Sequence, residues 1–198
     1  MSSQKAMVKN YVRRRLRQWQ TESNEHRMRA DLANLRRGIG KKPGELPELW
    51  GLLFQDFPEE LMSEKGQPTW AEWAVSGALT LYALHQQGAD RNAYADGQRL
   101  GMAISRLAGK GEGRQEAVRR RFNSFATAKT MPECMHHLRG LIQLMRSENI
   151  PLDYVELAGD LYEFQTAEGA PKVRLRWGQD FYRNMSQNEK GEEDNHEE

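Results

Sequence analysis

The segment from Trp70 to Gln87 constrains this chain most. Trp70, Trp73, Ala74, Val75, Ala78, Leu79, Leu81, Tyr82 and Leu84 make it apolar on nearly every side. It is too long for a typical strand, and Thr69 followed by Glu72 has the spacing of a capping box that starts a helix. Gly88 ends it. A helix that is apolar all round is stable in water only when other elements cover it from several directions. Nor does any apolar run in the chain approach the roughly 20 residues of a membrane span. The segment therefore predicts the centre of a water-soluble helical bundle, with Gly77 letting a neighbour approach closely.

The rest of the sequence supplies that cover. Met7, Val8, Tyr11, Val12, Leu16 and Trp19 recur at three- and four-residue steps, predicting an amphipathic helix over about residues 5–22 with Arg13, Arg14 and Arg17 on its opposite face. Met28, Leu32 and Leu35 mark a second helix that stops at Gly38 and Gly40, and Leu46–Phe54 a short third with Pro47 near its start. Residues 56–68 read as connection. A fifth helix covers 97–107, and the glycines at 109, 111 and 113 make a flexible connector before a sixth carrying Val118, Phe122 and Phe125 inward. Thr130 and Glu133 form a second capping-box pattern, opening a helix with Cys134, Leu138, Leu141, Ile142 and Met145 inward. Asn149–Pro151 ends it, Asp153 caps the next helix through Phe164, and Pro171 starts a last one carrying Val173, Trp177 and Phe181. No period-two strand survives this reading. The fold expected is all-α, two packed helical sub-bundles of about eight to nine helices. They cover residues 1–95 and 96–183, and a disordered acidic tail follows over 184–198. The expected core includes Trp70, Trp73, Leu81, Leu100, Ile104, Phe122, Leu138, Leu141 and Trp177.

Several kinds of chemistry are missing. Lys110 sits between glycines, but no Gly-Lys-Ser/Thr follows, so there is no phosphate loop. His136 and His137 are adjacent on a helix, point about 100° apart and rarely share one metal. The single cysteine, Cys134, excludes an internal disulfide and falls on an apolar stripe, which predicts a buried inert thiol and fits a reducing cytoplasm. Glu156, Asp160 and Glu163 share a helix face, yet no histidines or further carboxylates at matching spacing complete a metal site. No nucleophile–base pair stands out. The N-terminus, without an apolar stretch, is not a secretory signal. The expectation is a cytoplasmic, non-catalytic protein with no cofactor, no metal and no membrane.

The net charge of +1 conceals alternating blocks. Residues 1–42 sum to +9, 43–98 to −7, 99–146 to +7, 147–183 to −3 and 184–198 to −5. Of 29 basic residues 20 are arginine, the better group for bidentate phosphate contact. Arg36 and Arg37 close the second helix, and Lys41 and Lys42 follow across a glycine turn, more cations than one helix dipole calls for. Arg119, Arg120 and Arg121 fan across the solvent side of the sixth helix. Three successive helices carry arginines seven apart: Arg99 and Arg106, Arg114 and Arg121, Arg139 and Arg146. Pairs at that spacing share a face to within about 20°, and antiparallel packing would align them into a groove wall. With no interleaved aromatics for base readout, backbone tracking is the fitting mode. Two other readings stay open. The acidic blocks could neutralise the basic ones within the fold, or the basic faces could dock onto acidic protein surfaces.

The order of motifs resembles a known family. The run Arg29-Ala30-Asp31-Leu32-Ala33-Asn34-Leu35-Arg36-Arg37-Gly38-Ile39-Gly40-Lys41-Lys42-Pro43-Gly44 is similar to the N-terminal motif of the CasB family, the small subunit of the type I-E CRISPR surveillance complex, Cascade. So are Gly97–Ala103, Val118-Arg119-Arg120-Arg121-Phe122, His137–Ile142, Leu152-Asp153-Tyr154, Asp160-Leu161 and Val173–Arg183, in order over about residues 10–183. The resemblance implies a non-enzymatic helical protein of two small bundles. Two copies would lie head to tail and support the guide RNA–target DNA hybrid and the displaced strand beside other Cascade subunits, with cleavage left to a separate nuclease. Arg36, Arg37, Arg119, Arg120, Arg121 and Arg139 match the family's basic positions, which the resemblance implies contact the nucleic acid or neighbouring subunits. Arg174, Arg176 and Arg183 match basic positions of the terminal helix, where pairing with Glu156, Asp160 or Asp180 competes. The basic pattern adds Lys41, Lys42, Arg99, Arg106 and Arg114 as candidates.

Overall fold

The computed structural model describes residues 3–110 and 112–193. Its elements in chain order are α1 (Ser3–Thr21), α2 (Glu25–Arg37), a 3-10 turn (Pro47–Leu49), α3 (Trp50–Phe54) and a second 3-10 turn (Glu59–Leu61). Then come α4 (Trp70–His85), α5 (Leu100–Ala108), α6 (Glu112–Ala126), α7 (Met131–Ser147), α8 (Tyr154–Phe164) and α9 (Gly169–Glu193). Among the described residues there is no strand, only an isolated parallel bridge between Tyr94 and Leu152. The connector centred on Gly111 and the end of the acidic tail, 194–198, lie in part or wholly outside the described residues. The last helix continues past Arg183 to Glu193, into the segment expected to be a disordered tail, and the buried Met185 carries the stripe of Trp177 and Phe181 one turn further.

The all-apolar segment is the centre. α4 packs against α1, α2, α7 and α8, and buries thirteen of its residues, from Ala71 to His85. Its start is the capping box read from the sequence: Thr69 Oγ1 accepts from the Glu72 N–H at 3.1 Å, and the Glu72 carboxylate accepts from the Thr69 N–H at 2.7 Å. Gly77 has the close-approach role expected of it. A Cβ there would lie 2.8 Å from the Met135 sulfur of α7 and 3.4 Å from Leu161 of α8. On the other side, Trp19 of α1 stacks on Tyr82. The second half is organised by α9, which packs against α5 and α8, while Phe125, Phe164 and Trp177 gather from α6, α8 and α9 into one aromatic cluster.

Asp153 joins the two halves of the sequence. As N-cap of α8, it accepts from the Val155 and Glu156 N–H groups, while its other oxygen accepts from the Gly97 N–H at 2.8 Å. Backbone bonds from Leu152 N to Ala93 O and from Asp153 N to Gln98 O hold the same connection. Burial pushes the Asp153 carboxyl up from its ordinary value.

Three local expectations change. Trp70 is 51% exposed rather than buried, and Trp73 is half-buried. Trp70 opens the first turn of α4, where its indole meets the Tyr162 ring edge-on and its other side stays exposed. At α7, Thr130 caps Glu133 N as expected, but the Glu133 carboxylate accepts from Lys129 N instead of closing the box on Thr130. The remaining expected core residues, Leu81, Leu100, Ile104, Phe122, Leu138, Leu141 and Trp177, are buried. Cys134 is fully buried, and burial pushes its thiol up to about 12.

Candidate nucleic-acid interface

The candidate cations divide by what they touch. On α5, α6 and α7, which pack against one another, each pair of arginines seven apart splits. Arg99, the N-terminal flank of α5, is ion-paired to buried Asp180 of α9 at 2.6 Å, while Arg106 is exposed. Arg114 is ion-paired to Glu148, while Arg121 is exposed. Arg146 donates to Gln87 Oε1 at 3.1 Å beside the end of α4, while Arg139 is exposed. A helical face seven residues long spans about 10 Å, so one member of each pair reaches a neighbouring element and the other faces water. Within the triplet, Arg119 pairs along its own helix with Glu116, and Arg120 and Arg121 are exposed. Among the described residues Arg106, Arg120, Arg121 and Arg139 have no carboxylate partner.

The N-terminal group is tied more closely. Arg36 is half-buried and donates weakly to Ala83 O, at 3.4 Å, in the last turn of α4. Burial, then the charge of Arg146, pulls its pKa down. Arg37 is ion-paired to Glu48 at 2.9 Å, Lys41 to Glu45 at 2.8 Å, and Lys42 donates to Gln67 Oε1 at 2.9 Å; all three keep exposed side chains. Exposed pairs of this kind contribute little and can be traded for an incoming phosphate.

On the terminal helix the competition foreseen from the sequence goes partly to carboxylates. Arg176 bridges Asp160 and Glu163 of α8, and the buried Asp160 also accepts the Trp177 Nε1–H at 2.7 Å. Burial pushes the Asp160 carboxyl up against the opposing pull of Arg176. Arg174 donates to Ala126 O and lies over the Phe164 ring. Arg183 is exposed, with its charge acting on Asp180. The carboxylate face of α8 is thus occupied by cations: Glu156 takes Lys9, and Glu163 takes Lys5 as well as Arg176. No three His, Cys, Asp or Glu side chains among the described residues gather closely enough to hold a metal.

Two polar residues escape sequence reasoning. Arg15 is buried beneath α1, donating to Leu52 O and Gln18 Oε1 and lying over Trp19. Its signal was position, on the inward stripe between Val12 and Trp19. His85 is buried with Nδ1 2.9 Å from the Tyr154 hydroxyl, and burial pulls it down to about 4. It sits on the all-apolar helix, where a histidine reads as ordinary core.

Residues 31–182 match the model of the family described as CRISPR-associated protein Cse2. The chain belongs to the CRISPR-associated Cse2 family. Among solved structures it is similar to CasB from Thermobifida fusca, with 37% identity, 88% of this chain and 97% of that chain covered, and a TM-score of 0.73. M. ruber CasB shares 25% identity, with 92% and 97% covered and a TM-score of 0.64. A Cse2-family protein from Thermus thermophilus shares the fold at 21% identity, with 92% and 99% covered and a TM-score of 0.65. Comparison with curated proteins finds no match. The Cse2 match encloses every candidate from Arg36 to Arg176; Arg183 lies just past it and α1 wholly before it. No helix among the described residues is long and apolar enough to cross a membrane.

Proposed function

We propose that this Cse2-family chain is a non-catalytic small subunit of a CRISPR Cascade surveillance complex. Its basic faces support the guide RNA–target DNA hybrid and the displaced DNA strand, and its partners are other Cascade subunits and a second copy of itself. The observation that carries the reading is the set Arg106, Arg120, Arg121 and Arg139: exposed guanidiniums on three mutually packed helices, without a carboxylate partner among the described residues. Such cations release counterions when they meet phosphates, without reading sequence. Arg36, Arg37, Lys41, Lys42, Arg119, Arg174 and Arg183 would extend the contact by exchanging weak internal partners. Arg99, Arg114 and Arg176, held by buried or half-buried carboxylates, serve mainly to position their helices.

Strand binding measured against salt tests the reading. Replacing Arg120 and Arg121 by Gln removes two free cations and should flatten the slope of log K against log salt by up to about 1.4 for single strands, alike for all sequences. Unchanged slope and affinity would sink this reading and favour a module that docks onto acidic protein surfaces.

A further inference from the structure

α1 carries six cations, and the structure separates them sharply. Lys5 and Lys9 are taken by Glu163 and Glu156 of α8, and Arg15 is buried under the helix. Arg13, Arg14 and Arg17 remain on the outward side, and among the described residues none of them is in an ion pair. With Asn10, Gln18 and Thr21 they line a shallow trough of about 520 Å³. The positions 10, 13, 14, 17, 18 and 21 follow the i, i+3, i+4, i+7 pattern of a single helical stripe. Every side chain on it can donate a hydrogen bond, and none is a carboxylate. Arg13 donates to Asn10 Oδ1 at 2.8 Å, and Arg14 to the backbone carbonyl of Asp56 at 2.6 Å. These contacts orient the two guanidiniums without neutralising them. Arg17 is exposed and has no side-chain partner among the described residues. The helix dipole does not explain the group, because the last turn of α1 holds no basic residue.

We propose that this α1 stripe is a second backbone-binding surface, one that tracks the phosphodiester chain of a nucleic acid through Arg13, Arg14 and Arg17. The proposal rests on the nucleic-acid reading above and adds a surface that lies before the residues matching the family. From Asn10 to Thr21 the stripe runs about 16 Å, a length over which one DNA strand carries about five phosphates. Three arginines with the flanking amides of Asn10 and Gln18 suit such an array, the Thr21 hydroxyl being already given to the Arg17 carbonyl at 2.9 Å. A protein partner fits less well. Protein interfaces centre on buried apolar and aromatic anchors, and among the described residues the exposed large apolar side chains are Trp50, Met62, Trp70, Leu175 and Tyr182, none of them on α1.

The test uses the full chain with an unstructured single-stranded DNA and an RNA of equal length. Arg13→Gln/Arg17→Gln leaves Arg14 in place to hold the connection at Asp56. The double variant should keep the wild-type melting temperature and flatten the salt slope by up to about 1.4 with DNA, RNA or both, the more affected strand naming the ligand. The loss should add to that of Arg120→Gln/Arg121→Gln, because the two surfaces meet different phosphates, and Arg17→Lys should retain the slope. If Arg13→Gln/Arg17→Gln binds both strands like wild type while Arg120→Gln/Arg121→Gln is weakened, the stripe is not a strand surface and the proposed function stands. If it instead loses other complex subunits on copurification with strand binding intact, the stripe is a protein dock and the proposal is overturned. Absence of salt-dependent binding by the wild-type chain would overturn both.

Discussion

Gly101→Ala is the sharpest test of how the second half is assembled. Gly101 lies in the first turn of α5 where that helix meets α9, and it is buried. A Cβ at this position would stand 2.4 Å from the Trp177 carbonyl oxygen, 2.7 Å from Asp180 Cβ and 3.0 Å from Phe181 N. Two of the three are backbone atoms, which cannot swing aside as a side-chain end can. The helices must separate, and the same stretch of α9 carries the Arg99–Asp180 ion pair and the buried Trp177. Overpacking of this kind costs about 1–3 kcal/mol, and backbone contact places Gly101 at the upper end. Alanine returns up to about 1 kcal/mol of helix propensity. The net loss is about 2 kcal/mol, which for a chain of this size lowers the melting temperature by roughly 4–8 °C. Gly140→Ala is the control: it sits inside α7 with nothing within 4 Å of its Cβ position. There only the propensity gain acts, and melting should rise by about 2–4 °C. Thermal melts followed by circular dichroism read both. A Gly101→Ala protein that melts at or above the wild-type temperature would refute the close α5–α9 contact.

Two further outcomes follow from buried polar groups. His85, held down to about 4 in the fold, stays neutral while the unfolded chain takes up a proton near its ordinary 6.5. Stability should therefore be unaffected by this group above about pH 6.5, fall as pH drops toward 4, by up to roughly 3 kcal/mol, and level off below; an NMR titration showing His85 protonated by pH 6 would contradict it. Asp160→Ala leaves the Trp177 N–H without its acceptor and Arg176 with only Glu163, so urea unfolding should show a loss of roughly 3 kcal/mol. Asp160→Asn, whose amide oxygen still accepts, should lose less. Equal midpoints for Asp160→Ala and wild type would refute the role of this network.

How much was legible depends on the range of the interaction. Helix starts were readable because caps act within four residues: Thr69 with Glu72, and Asp153 with Val155 and Glu156. Periodicity also gave the inward faces, since burial at Leu138, Leu141 or Trp177 follows from spacing alone. Trp70 broke the pattern because apolar character states a preference for burial, and at the first turn of α4 the cover is partial, an edge contact with Tyr162 that leaves half of the indole exposed.

The candidate interface was legible only as a roster. Its arginines could be counted and placed on helix faces, but their freedom was decided by carboxylates far away in sequence. Arg99 meets Asp180 from 81 residues away, Arg114 meets Glu148 from 34, and Lys5 meets Glu163 from 158. Such pairs depend on which helices become neighbours, and that is settled by how the apolar faces pack around α4 and α9. The sequence by itself therefore determined an all-helical chain with a central apolar helix and an excess of arginine in two blocks. The tertiary structure alone decided that, among the described residues, Arg106, Arg120, Arg121, Arg139 and the arginines of the α1 stripe have no carboxylate partner while their neighbours are spent on the fold, because charge pairing is a property of distance in space and not of distance along the chain.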